Sequence, residues 1–219
     1  MKKLLIPLVC GLFAICSCNL EGSYSATNVQ DIVTIVEHQP MNDLGVQYII
    51  TSKAQGTPEL MEGNRYFMLF DITNYQKEIR ACEISVKSVA PVEILPAQAV
   101  DPAEEIKGHD PIQIYFNWIG SRYMDLAIGY YFDEKSNYAR TFQARYSLDE
   151  ASTLNVFLYL DGNNENPASM DENNLKQNTH FISIPISDWD FKAVTLTVDI
   201  LTSTSEGYVI EQKTYPSRQ

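Results

Sequence analysis

Histidine, tryptophan, basic charge and helical periodicity are all in short supply in this chain. Its three histidines, His38, His109 and His180, stand in separate segments, and none falls in HExxH or another metal-ligand spacing. His38 and His109 adjoin turns and His180 opens a strand-like run, so all three read as structural or solvent-exposed. No G-x-S-x-G elbow, Walker loop or G-x-G-x-x-G run occurs, which leaves serine-hydrolase and nucleotide-binding readings without support. Lys and Arg number 16 against 28 acidic residues, a formal net charge of −12. That balance argues against nucleic acid and against electrostatic docking on anionic lipid, both of which need clustered basic side chains. The acids are scattered, as on a solubilising surface. Sustained apolar periods of 3.6 are missing, so long helices are not expected. Nothing in the sequence calls for a cofactor.

Cysteine is scarce too, and its placement is informative. Three of the four lie in "LVCGLFAICSCNLEGS", residues 8–23, as Cys10, Cys16 and Cys18. Lys2 and Lys3 precede an uncharged, mostly apolar run from Leu4 to Ile15. That run is shorter than the roughly 20 residues of a spanning helix but suits the core of an export signal. Within it "ICSC" resembles a bacterial lipobox, with Ile15 at −3, Ser17 at −1 and Cys18 as the residue to be acylated. The expectation is a lipoprotein signal peptide over 1–17 and diacylglycerol, with further acylation, on Cys18. An ordinary secretory signal and a Cys-x-Cys metal pair are the alternatives; the pair would lose Cys16 with the leader. Cys82 is then the one cysteine of the mature body. In the alternating run "EIRACEISVKSV" it reads as a small buried hydrophobe rather than a nucleophile.

With the leader set aside, the class is all-β. Residues 18–30 are polar and small and read as a lipidated tether. "DIVTIVE", "VQYIITS", "RYFMLFDIT" and "KEIRACEISVKSVAPVEIL" are strand-like and separated by Gly, Pro and Asn turns, which predicts a small barrel over 31–98. A Pro-rich acidic segment, 99–111, reads as a linker with one helical turn at Pro102–Ile106. Period-two alternation then dominates 112–219. Ile112, Ile114, Phe116 and Trp118 share one face, as do Met124, Leu126, Ile128, Tyr130 and Phe132, and likewise Leu154, Val156, Leu158 and Leu160. About seven such strands predict an antiparallel sandwich, with Pro185 marking an edge strand.

The acylated cysteine, the barrel-sized first unit, the acidic linker and then "GHDPIQI", the Trp118, Tyr123, Leu126 run and "THFISIPIS" together resemble the NigD-like lipoproteins of Bacteroidota. The resemblance implies an N-terminal OB-like domain followed by a β-sandwich, and a bacteriocin-immunity type of role. It implies no catalytic residues.

Two candidate sites remain. "DGNNENPASMDE" offers oxygen donors at calcium-loop spacing, Asp161, Asn163, Glu165 and Glu172, but Asn166 replaces the glycine of such loops and a strand precedes it; a polar hairpin is the alternative. Tyr115, Tyr123, Asp125, Tyr131, Phe157 and Tyr159 all fall on outward parity and could stack sugars or grip a partner's side chains, or else serve internal packing. The resulting expectation is a non-enzymatic envelope lipoprotein of the outer membrane, bound to the membrane through Cys18 and binding a protein or glycan; the periplasmic facing is favoured, with the cell surface as the alternative. The alternatives are a glycan-active enzyme, with Asp125, Asp133 and Glu134 the carboxylates to inspect, and an assembly scaffold for other envelope proteins.

Overall fold

The computed structural model describes residues 25–100, 110–135, 138–162, 175–204 and 207–216. The leader, Cys18, the expected helical turn near 102–106, His109, Asn163, Glu165 and Glu172 lie outside them. The described chain is built of strands, with one short 3-10 turn at Lys77–Ile79, and it divides into two units, Met1–Ala90 and Pro91–Gln219.

The first unit is a closed barrel of β1 (Ala26–Val36), β2 (Gln39–Asn42), β3 (Gln47–Lys53), β4 (Arg65–Gln76) and β5 (Ala81–Pro91). Its strand order is β1-β2-β3-β5-β4 with β4 returning to β1, and β3 runs parallel to β5. That is the OB-like topology, in which closure removes the open sheet edges. Inward positions alternate as the sequence predicts: Val33 and Ile35, then Tyr66, Met68, Phe70 and Ile72, then Cys82, Ile84 and Val86 form one core. Cys82 is 6% exposed, and burial followed by the nearby Asp31 charge pushes its thiol up to about 11, which suits the structural reading. β2 escaped prediction because "QPMN" is four residues long and its Pro40 and Asn42 look like turn chemistry; Pro40 nevertheless pairs with Ile35. The β1–β2 connection places Glu37 and His38 at φ of 51° and 65°. Such left-handed pairs normally need Asn and Gly. Here the Glu62 carboxylate accepts both backbone N–H groups at 2.9 Å.

The second unit is two stacked sheets. One has the order β14-β13-β11-β10-β7 and the other β6-β12-β9-β8. Their strands are β6 (Glu93–Ile94), β7 (Gln98–Ala99), β8 (Ile112–Ile119), β9 (Tyr123–Asp133), β10 (Thr141–Leu148), β11 (Thr153–Asp161), β12 (Leu175–Pro185), β13 (Ala193–Thr204) and β14 (Gly207–Pro216). A single apolar core joins the sheets, with Met124, Leu126, Ile128, Ile182 and Ile184 from one facing Leu154, Leu158, Leu196 and Val198 from the other.

Five expectations are corrected. The sandwich is mixed rather than antiparallel, because β11 runs parallel to β13, β7 to β10 and β6 to β12. Residues 93–94 and 98–99 pair with β12 and β10, so the barrel ends near Ala90 instead of 98, and the expected linker begins inside a strand. Ala26–Gln30 belong to β1 instead of a tether. Pro185 closes a strand that is not an edge: β12 lies between β9 and β6, although β6 reaches only Ile182 and Ser183. His180 sits in mid-strand, its ring stacked on Phe142 and its Nε2 2.7 Å from Glu93.

Candidate functional site

The β8 reading fails at one residue. Ile114 pairs with Ile128, but Phe116 pairs with Ala127, so Tyr115 is an extra residue in the ladder. Such a bulge inverts the parity of everything after it. Ile119 becomes the buried residue, 8% exposed, and Trp118 turns outward, 38% exposed. The outer face of the four-stranded sheet therefore carries Phe116 and Trp118, which alternation alone had assigned to the core.

Cross-strand register organises this face in rows. Ile94, Ser183, Asp125 and Trp118 form one row across β6, β12, β9 and β8. Three strand spacings put its exposed ends, Ile94 and Trp118, about 14 Å apart. The middle of the row is polar and sheltered: Asp125 is 5% exposed and accepts a short hydrogen bond from the Ser183 hydroxyl. The next row is Phe181, Ala127 and Phe116. The outward residues of β9 in and beyond this row, Ala127 and Gly129, are small and buried beneath larger neighbours, Tyr115 over Gly129.

Of the sequence candidates, Tyr123, Asp125 and Tyr131 lie on this face, Tyr123 with the Arg122 guanidinium 5.8 Å from its ring centre. Tyr115 lies there too, packed over Gly129, and its hydroxyl accepts from Gln177 Nε2 at 2.8 Å. Any methyl at Gly129 would overlap that ring.

Phe157 and Tyr159 belong elsewhere. They sit on β11, in the five-stranded sheet, with Leu158 and Leu160 pointing into the core between the sheets. Their outward side is the opposite surface of the sandwich. The single six-residue face expected from parity is thus two faces. Period-two alternation reports in or out for each strand but does not say to which sheet the strand belongs. The second face is polar and well covered: Arg145, Thr197 and Asp199 are all under 9% exposed, Arg145 Nη1 donates to Gln98 Oε1 at 2.7 Å, and the hydroxyls of Thr197 and Thr214 are 2.8 Å apart. Burial and then the Asp199 charge raise the Tyr159 hydroxyl above its ordinary range, so it stays neutral.

The carboxylates singled out for glycan chemistry do not converge. Asp125 and Asp133 stand at two ends of β9, eight residues and so roughly 27 Å apart, where glycosidase pairs need about 5–9.5 Å. Asp133 Oδ1 accepts from the Lys135 N–H at 2.9 Å and Glu134 pairs with Lys176 at 3.4 Å. Of the calcium candidates, Asp161 alone is described; its Oδ1 lies 3.2 Å from the Tyr138 hydroxyl, which donates to it. Among the described residues no three His, Cys, Asp or Glu side chains gather as metal ligands.

An OB-like barrel followed by a mixed β-sandwich defines the class. No protein-family model matches the sequence, and no curated protein does. Solved structures share the fold at low identity. A protein of unknown function from Bacteroides vulgatus is 14% identical with a TM-score of 0.63, over 88% of this chain and 90% of that one. A NigD-like immunity protein from Bacteroides caccae is 14% identical with a TM-score of 0.58, over 87% and 93%. A candidate lipoprotein from Bacteroides fragilis is 11% identical with a TM-score of 0.58, over 88% and 97%. The NigD-like resemblance read from the sequence is therefore carried by the fold across nearly the whole of both chains, and none of these names states an enzymatic activity.

Proposed function

We propose that this protein is a NigD-like envelope lipoprotein, held at the outer membrane by acyl chains on Cys18, that acts without catalysis as a binding or immunity-type module for a protein or glycan. The outer face of the four-stranded sheet is its contact surface. One observation carries that assignment: the bulge at Tyr115 turns Trp118 out of the core, in register with the sheltered Asp125 and Ser183. A large aromatic beside a desolvated polar group is the composition of a binding hot spot, and it suits sugar stacking equally. The fold shared with an immunity protein and a candidate lipoprotein supports the compartment and the class. The distance between Asp125 and Asp133 weighs against the glycan-active enzyme.

The test compares the native chain with Trp118→Ala in two assays run side by side, an envelope-glycan array and a pull-down from native membranes. The expected result is a glycan or protein retained by the native chain and lost by the variant, with thermal unfolding unchanged. An identical bound set for both chains would remove this face from the function.

A further inference from the structure

Sheet edges are liabilities, and folded proteins blunt them with short strands, bulges or charge. Among the described residues the sandwich has four edge strands, β6, β7, β8 and β14. β6 and β7 are two residues long, and β8 is broken by its bulge. β14 is different. It pairs with β13 through ten consecutive positions, Thr195 with Pro216 to Thr204 with Gly207, without a register shift. Val209 and Ile210, on its two faces, are 46% and 40% exposed. In a chain with 28 acidic and 16 basic residues this strand is electrically neutral, its charges being Glu211 and Lys213 alone.

We propose that β14 is the seam of a homodimer, in which two copies pair antiparallel with Gln212 on the twofold axis. Directly opposite residues in an antiparallel ladder point to the same side and interact. With Gln212 on the axis, Glu211 of each copy faces Lys213 of the other, Ile210 faces Thr214, and Val209 faces Tyr215. Moving the axis to Glu211 sets two carboxylates opposite each other, and moving it to Lys213 sets two ammonium groups opposite. An axis between residues is excluded, because it would set residues of opposite faces against each other. Charge complementarity therefore selects one register and one occupant, a second copy of this chain. Both charged side chains have a contact in their own chain: Glu211 Oε1 accepts from the Thr202 hydroxyl at 2.6 Å, and Lys213 Nζ lies 5.1 Å from the centre of the Tyr215 ring. The isologous seam joins the two five-stranded sheets into one.

The test places single cysteines in the full-length chain and oxidises native membranes. Gln212 and Thr214 are both exposed, so neither substitution reaches the apolar core, and Thr214→Cys gives up only the contact of its hydroxyl with Thr197. An on-axis residue faces its own copy with Cα atoms about 4.5–5.5 Å apart, within disulfide reach. Residue 214 would lie roughly 14 Å from its counterpart, out of reach. The expected result is a disulfide-linked dimer from Gln212→Cys and none above the native background from Thr214→Cys. Adding Glu211→Lys to Gln212→Cys should reduce the dimer several-fold, and Lys213→Glu on top of it should restore the yield. Monomer alone from Gln212→Cys, equal dimer from both cysteines, or a yield indifferent to Glu211→Lys would each overturn the proposal.

Discussion

The barrel takes a carboxylate into its interior and the core between the two sheets of the sandwich takes none, although outside their cores both units bury polar side chains, Thr34 and Arg65 in one and Asp125 and Arg145 in the other. The barrel admits a carboxylate on its inward side: Asp31 shares the parity of Val33 and Ile35, and takes hydrogen bonds from the Tyr48 hydroxyl at 2.5 Å, Asn42 Nδ2 at 3.0 Å and the Ile32 N–H at 2.9 Å. The core shared by the two sheets of the sandwich is apolar, and its buried polar side chains Asp125, Ser183, Arg145, Thr197 and Asp199 lie on outward parity. A polar group inside a closed barrel is available to its own neighbours and fixes their geometry. A polar group on the outside of a sheet can also meet something else. Of the outward polar groups only Asp125 and Ser183 lie on the proposed contact face; Arg145, Thr197 and Asp199 are covered and internally bonded.

The strongest way to break this comparison is in the barrel. Arg65 is 1% exposed, its Nη1 bonded to Asp43 Oδ1 and to the Thr34 hydroxyl, each at 2.9 Å. Arg65→Met leaves the Asp43 carboxylate buried opposite an apolar side chain, and breaking a buried pair this way costs about 3–5 kcal/mol. Urea unfolding, followed by hydrogen exchange at barrel amides, should show that loss in the first unit; an unchanged midpoint would mean that the pair is dispensable.

A smaller effect is expected at the sandwich surface. Gly129→Ala forces a methyl into the Tyr115 ring and should destabilise by about 1–3 kcal/mol. Tyr115→Ala in the same chain should recover much of that, a coupling read by a double-mutant cycle. Strict additivity would show that Tyr115 does not rest on Gly129.

The smallest effect sharpens the comparison through pH. Desolvation, outweighing its three donors, raises the Asp31 carboxyl above the ordinary range. A raised carboxyl favours the native state below the unfolded pKa, and that contribution is lost as pH rises through the folded value. Glu62 has the opposite sign: the amides of His38 and Glu37 hold its carboxylate below the ordinary range, so its contribution is present above the unfolded pKa and is lost as pH falls through the folded one. Stability measured against pH should therefore show Asp31→Asn gaining on the native chain as pH rises, and Glu62→Gln converging with it as pH falls. Parallel curves for either variant would refute the corresponding assignment.

Much of the fold is legible in the sequence because alternation is a local property. Leu126 and Ile128, Leu158 and Leu160, and the inward stripe of β4 can be read off directly. What alternation cannot report is any event that changes its phase or partner. The bulge at Tyr115 carries no glycine to announce it, and it decides whether Trp118 is core or surface. β6 and β7 are two residues each, too short to show a period, yet they move the domain boundary. The division of the aromatic residues between two faces follows from strand order, which is a property of the whole chain.

That strand order also sets a folding schedule. Glu93 pairs with Ile182 and Gln98 with Arg145, so the first sandwich residues to leave the ribosome are among the last to find their partners. Loops that long must be closed before their contacts give any return, which makes assembly slow and leaves apolar strands uncovered in the meantime. The barrel has no wait as long as that of Glu93, since β1 meets β4 at Ala26 with Ile72 and β5 follows β4 after a single short turn. One unit is therefore quicker to form, and the other depends on protection from aggregation until its last strands arrive.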